Sequence, residues 1–179
     1  MIDIAFDEGA LAKAEELLGD CRVQIRRAAN AAINRAIITV KKEASQAIRE
    51  VYIVKAKDVK GSIALIKAKK DNLEGMIISK GTPLMLNSFR MRARKKKPYR
   101  VQVKQEGSLK PIKGLFVQKQ LPLQRVGAAR YPLRIPHGPS VPQMFGSEET
   151  LKLLVPVAEE TLNKRFLHEI EYRYGRKYL

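Results

Sequence analysis

From Glu8 to Val51 the chain contains no proline, and apolar residues return every three or four positions: Leu11, Ala14, Leu18, Cys21, Ile25, Ala28, Ala32, Ala36, Val40, Ala44, Ala47 and Val51. That spacing keeps one side of a helix apolar over its whole length, so the segment predicts an amphipathic helix that needs a partner along its stripe. Gly19 and Asp20 suit a helix stop followed by an N-cap, but the apolar phase runs through them, which predicts one long helix with at most a kink there. The small residues Ala28, Ala29, Ala31, Ala32 and Ala36 allow another element to approach closely. A chain of 179 residues can build one sizeable core with extensions, and a helix this long must cross a sheet or reach a neighbouring subunit.

After Val51 the period changes. The segments 62–69 (SIALIKAK), 75–80 (GMIISK), 99–104 (YRVQVK) and 114–119 (GLFVQK) are short and rich in β-branched or aromatic residues. Turn chemistry separates them, as at Asp71-Asn72, Glu106-Gly107-Ser108 and Pro111, so they read as strands of an antiparallel meander. Strict alternation in 99–104 puts Tyr99, Val101 and Val103 on one face and Arg100, Gln102 and Lys104 on the other, which is wet or partner-facing. Residues 131–142 (YPLRIPHGPSVP) hold four prolines, which predicts an extended arm or loop without regular structure. Ser147 opens a second helical zone with Glu148 and Glu149 at its positive end, and Pro156 predicts a break or the first turn of a last helix whose stripe is Leu162, Phe166, Ile170 and Tyr174.

The expected fold is therefore α+β: a long N-terminal helix packed on a small antiparallel β-sheet, with a C-terminal helix. A single domain would comprise helical residues 1–51, a basic β-rich stretch 52–130, the proline-rich arm 131–146 and helical residues 147–179.

The formal charge of +17 predicts an acidic partner, and its distribution says where. Residues 1–50 carry eight Lys/Arg against eight Asp/Glu and residues 141–179 carry six against six, while residues 51–140 carry 21 against four. The densest part is 89–103 (FRMRARKKKPYRVQV), with Arg90, Arg92, Arg94, Lys95, Lys96, Lys97 and Arg100. Only Phe89 and Tyr99 flank this cluster as aromatics, and no groove-entering helix accompanies it, which points to nonspecific contact with DNA or an acidic protein surface. A solvated loop is the alternative reading of such a run.

Signals for catalysis and cofactors are weak. The histidines, His137 and His168, are far apart in sequence, and adjacent His168 and Glu169 on a helix do not converge on one ion. No Walker or dinucleotide glycine pattern occurs, and the carboxylates of the basic block, Asp58, Asp71, Glu74 and Glu106, do not form an acid–base pair motif. The lone Cys21 lies at an apolar helical position and reads as a buried thiol in a reducing compartment. The acidic N-terminus and the lack of a long apolar run predict a protein without signal peptide or membrane span. No enzyme activity and no cofactor are expected.

The order of the pieces carries a further reading. Residues 26–54 (RRAANAAINRAIITVKKEASQAIREVYIV), 64–89 (ALIKAKKDNLEGMIISKGTPLMLNSF), a basic middle reaching GLFVQKQ, the segment YPLRIPHGPSVPQMF and the last helix LNKRFLHEIEYRYG together resemble the minor tail protein Z family of tailed bacteriophages and prophages. The resemblance covers about Gln24 to Arg173, most closely at Asn34-Arg35-Ala36, Leu86 to Phe89, Gly138-Pro139-Ser140-Val141-Pro142 and Leu167-His168-Glu169-Ile170. It implies a structural virion protein of the tail or neck, assembled in the host cytoplasm. Such a protein completes the tail and helps it join the head, in a ring such as a hexamer beside tail terminator, tail tube and head-completion proteins. Genomic DNA passes along that axis. The competing class is a free-standing, sequence-nonspecific nucleic-acid-binding protein, with a small hydrolase as a remote third. The arm residues Arg134, Ile135, Pro136, His137, Gly138, Pro139, Ser140, Val141 and Pro142 are expected to dock on another subunit, with an intramolecular loop as the alternative.

Overall fold

The computed structural model describes residues 2–5, 9, 22–70, 72–94 and 97–178. In chain order the elements are β1 (Ile2–Ala5), α1 (Arg22–Val51), α2 (Ala56–Ser62), β2 (Ile63–Ile66), β3 (Glu74–Ser79), β4 (Pro83–Met85), β5 (Arg90–Arg94) and β6 (Lys97–Gln102). They continue with β7 (Lys110–Pro111), β8 (Leu115–Gln118), β9 (Leu121–Arg125), β10 (Leu133–Arg134), β11 (His137–Ser140), α3 (Val141–Phe145) and α4 (Glu148–Tyr178). The fold is α+β, with long helices near both ends and several small antiparallel sheets. The first part of the expected N-terminal helix, including Gly19, Asp20 and Cys21, lies outside the described residues. The chain forms two compact units, one from residues 1–44, 63–79 and 151–179 and one from residues 45–62 and 80–150.

In the first unit the helical stripe is buried where the spacing placed it: Ile25, Ala28, Ala32, Ala36, Val40 and Ala44 are all closed to solvent. A second row, Ala29, Ile33 and Ile37, is buried as well, so the apolar face is wider than one stripe. Strands β1, β3 and β2 form an antiparallel sheet in that order, with Ile2 opposite Ile77 and Ile63 opposite Ser79. Gly75 of β3 lets the sheet come close to the helix: a Cβ there would stand 2.7 Å from Ile33 Cγ2 and 3.0 Å from Ile37 Cγ2. Asn34 fixes the helix lengthwise, since its Nδ2 donates to the Ala68 carbonyl at 3.1 Å and its Oδ1 accepts from the Ala68 N–H at 2.9 Å. Helix α4 buries Leu154 and Ala158 in this unit and runs through Pro156 without ending. The expected break is corrected: proline removes one amide donor and crowds the preceding turn, but the buried residues on either side hold the helix together.

The large apolar side chains of the second unit most fully closed to solvent, Ile48, Val59, Val141, Met144 and Phe145, lie at the end of α1, in α2 and in α3, while Tyr52, Leu86, Phe89 and Leu115 are buried outside these helices. Its strands form three small sheets, β4 with β11, β5-β6-β7, and β8-β9-β10. All four expected strands exist, but not as one meander: β2 and β3 belong to the first unit, and β6 and β8 lie in different sheets. The proline-rich segment also departs from expectation, because it forms β10, β11 and the start of α3. Strand β11 pairs with β4, His137 opposite Met85 and Ser140 opposite Pro83, with an irregular register between. Pro139 falls in that irregular stretch and Pro83 begins its strand, two places where a missing amide donor does not break a ladder. Ser140 then caps α3 in a capping box: its Oγ accepts from the Gln143 N–H at 3.4 Å, and the Gln143 Oε1 accepts from the Ser140 N–H at 2.9 Å.

Candidate functional site

Strands β5 and β6 place the basic cluster on a hairpin. Their register sets Arg90 opposite Gln102, Met91 opposite Val101, Arg92 opposite Arg100, and Arg94 opposite Lys97 after an irregularity. Opposed residues share a face, so Arg90, Arg92 and Arg100 stand together on one side, all exposed, while Val101 is buried and Met91 half-buried on the other. Neither strand contains a carboxylate. Like charges directly opposite each other destabilise a sheet, so the Arg92/Arg100 pair is unfavourable for the hairpin in isolation and favourable only with an anion above it. Lys95 and Lys96 lie outside the described residues.

The alternation read from 99–104 survives with one exception. Val101 is buried and Arg100 and Lys104 are exposed, but Gln102 on the polar side is buried too. The following turn covers it: Gln102 Nε2 donates to the Gln105 carbonyl at 3.0 Å and the Gly107 carbonyl at 2.6 Å, while its Oε1 accepts from Arg90 Nη1 at 3.4 Å. Gln102 thereby holds Arg90 at the inner end of the arginine face. Lys104 is committed elsewhere. Its Nζ donates to both carboxylate oxygens of Glu149 at 2.7 and 2.8 Å and lies 5.8 Å from the centre of the Tyr52 ring. The hydrogen bond to Glu149 raises the Lys104 pKa above its ordinary value.

The arm residues divide by position. Ser140 and Val141 are buried in the second unit, and Gly138 lies against Phe89, whose Cε2 would be 2.5 Å from a Cβ at that position. Pro136, Gly138, Pro139 and Pro142 are half-buried. Only Arg134, Ile135 and His137 are exposed, so these three are the part of the segment available to a neighbour in this arrangement. Arg134 is itself held, its Nε donating to Gln124 Oε1 at 3.0 Å.

Four segments singled out in the sequence meet in pairs. In the first unit Arg35 Nε lies 3.6 Å from Glu169 Oε1, so the Asn34-Arg35-Ala36 segment touches the Leu167 to Ile170 segment. In the second, the Phe89 ring packs on Gly138, joining Leu86–Phe89 to Gly138–Pro142. Glu169 is buried and also accepts from Arg173 Nη2 at 3.2 Å. Composition gave no hint of this buried carboxylate. Its position i−4 from Arg173 was the available signal, and Arg35 is too distant in sequence to suggest itself.

His137 and His168 are both exposed. Among the described residues, no three His, Cys, Asp or Glu side chains come together as a metal site would require. Among the same residues, no helix is long and apolar enough to cross a membrane. No family model, curated protein or solved structure matches the chain.

Proposed function

We propose that the chain is a structural, non-catalytic virion protein of a tailed phage or prophage, acting in tail completion and head–tail joining at the head-proximal end of the tail. It works as an oligomeric ring beside tail terminator, tail tube and head-completion proteins, with nonspecific contact to the passing genome. The order of sequence pieces from Gln24 to Arg173 supports the family assignment. The observation that carries the contact chemistry is the arginine face of β5 and β6, where Arg90, Arg92 and Arg100 stand together without a carboxylate in either strand. Such a face suits phosphates or an acidic protein surface, since each Lys or Arg that meets a phosphate releases a counterion.

Complementation tests the assignment. A phage lacking its tail completion gene is supplied with this chain or with a variant neutralised at Arg92, Arg94, Lys95, Lys96 and Lys97, and particles are scored by electron microscopy. The expected result is joined, infectious particles with the unaltered chain and separate heads and tails with the variant. Equal rescue by both would show the cluster to be a solvated surface without a partner, and no rescue by either would remove the tail-completion reading.

A second reading, a free-standing nucleic-acid-binding protein, is favoured by the concentration of charge in the second unit. It requires tight duplex binding by the isolated chain, with log affinity against log salt falling at a slope of at most about −6 if all seven cations of the cluster meet phosphates. Weak binding at low salt would leave the assembly reading alone.

A further inference from the structure

The sheet β8-β9-β10 has two unlike faces. Its register sets Leu115 opposite Gln124, Phe116 opposite Leu123, Val117 opposite Pro122, Gln118 opposite Leu121, and Leu133 opposite Arg125. On one side Leu115 and Pro122 are buried, so this side packs into its own unit. On the other, Phe116, Leu123 and Leu133 are half-buried and Leu121 is 42% exposed, so no member of that face is closed to solvent. Arg125 lies on the same face, its guanidinium 6.0 Å from the centre of the Phe116 ring, which holds the charge at the edge of the apolar surface.

Exposed Leu121 and half-buried Phe116, Leu123 and Leu133, in adjacent cross-strand rows, form an apolar surface open to solvent of the kind that marks a protein contact. The charge around the patch selects the partner. From residue 107 to residue 147 the chain has six Lys/Arg, namely Lys110, Lys113, Lys119, Arg125, Arg130 and Arg134, and no Asp or Glu. A second copy of this surface would meet like charge. Single-stranded nucleic acid would want several stacking rings, and the face offers one phenyl among leucines. We infer that the open face of β8-β9-β10 is a docking surface for an acidic protein segment that seats apolar side chains on Phe116, Leu121, Leu123 and Leu133 and sets a carboxylate against Arg125. The inference needs neither the phage assignment nor DNA contact by the β5-β6 hairpin.

The test uses the full chain as bait for a library of short random peptides, followed by titration of the enriched peptides against the unaltered chain and three variants. Leu121→Lys and Arg125→Glu change exposed positions of the proposed face, and Arg92→Glu changes the arginine face of the other sheet; far-UV circular dichroism checks that all three fold. The expected result is enrichment of peptides that combine Asp or Glu with large apolar residues. Their affinity should fall about tenfold or more with Leu121→Lys and with Arg125→Glu, and change little with Arg92→Glu. The proposal is overturned by failure to enrich any peptide, by peptides without acidic residues, or by affinities that both face variants leave intact. A thymidine oligonucleotide is titrated in parallel, and amide shifts confined to residues 116, 123 and 133 in its presence would assign the face to nucleic acid instead.

Discussion

The two units solve opposite problems. The first carries 16 Lys/Arg against 13 Asp/Glu, a net +3, and buries a continuous helical face of Ile25, Ile33, Ile37 and Val40 against a sheet. The second carries 19 against five, a net +14, and closes its large side chains most fully around α2 and α3, while its strands and turns contribute scattered buried residues such as Leu86, Phe89, Val101 and Leu115. Backbone pairing does not need buried side chains, so an exposed strand face such as that of β5 and β6 can hold arginines that a packed helix face would expel, despite the Arg92/Arg100 repulsion. The cost is that the hairpins gain little from burial and must be positioned by a few well-placed contacts.

Matched glycine substitutions should show the largest effects and test that difference directly. Gly75→Ala presses a methyl into Ile33 and Ile37, and Gly138→Ala presses one into the Phe89 ring, so each should cost about 1–3 kcal/mol in urea unfolding. The second cost should shrink when combined with Phe89→Leu, because one ring makes the contact. The first should persist when Ile33 is shortened to Val, because valine keeps the γ-methyl that a Cβ at Gly75 would meet and Ile37 is unchanged. If Gly138→Ala is as costly beside Phe89→Leu as without it, the Phe89 contact is not what positions β11.

A charged contact separates the units next. Glu169→Gln leaves Arg35 and Arg173 without a carboxylate in the first unit and should cost about 1–2 kcal/mol, less than for a fully buried pair because Arg35 is more than half exposed. In the second unit the sign reverses. Arg92→Gln with Arg100→Gln removes a like-charge cross-strand pair and should raise stability by about 0.2–1 kcal/mol, while making the salt slope of duplex DNA affinity shallower by about 2. Loss of stability in that double variant would show that the arginine face is anchored within the chain.

The smallest effect is at high pH. Lys104 has a raised pKa in the folded state, so its bond to Glu149 contributes fully below the unfolded value of about 10.5 and fades as pH rises through the folded value. The unaltered chain should therefore lose more stability than Glu149→Gln between neutral pH and the strongly alkaline range. Parallel unfolding curves for the two proteins at both ends of that range would remove Lys104 as a support of the turn at residues 104–107.

Helix α1 was legible from sequence because its partner could be ignored: a stripe of period three to four is visible whatever packs on it, and Ile25 to Ala44 are buried in phase. Strands β2, β3, β6 and β8 were legible individually, but their assignment to sheets was not, since pairing depends on turns and on distant residues. The β4–β11 pair shows the limit most plainly. Prolines normally argue against a strand, and here Pro83 and Pro139 occupy the two kinds of position where the argument lapses. Of the candidate contact residues, Arg90, Arg92 and Arg100 were readable as part of a dense basic run, and alternation put Arg100 on the polar side of its strand, but their common face comes from the β5–β6 register, which the sequence did not show. The Arg35–Glu169 contact joins helices far apart in sequence and left no local trace.

The clasp of β4 on β11, locked by Phe89 on Gly138, encloses residues 86–136, which carry 14 Lys/Arg and a single acid, Glu106. An unfolded chain must bring the ends of this stretch together before the clasp rewards it, and every cation inside resists the compaction. Added salt should therefore hasten refolding of the clasp, approaching a plateau as screening shortens the reach of the charges to a few ångströms, while weakening any grip on DNA over the same range. Folding and any such grip on DNA thus draw on one field in opposite directions.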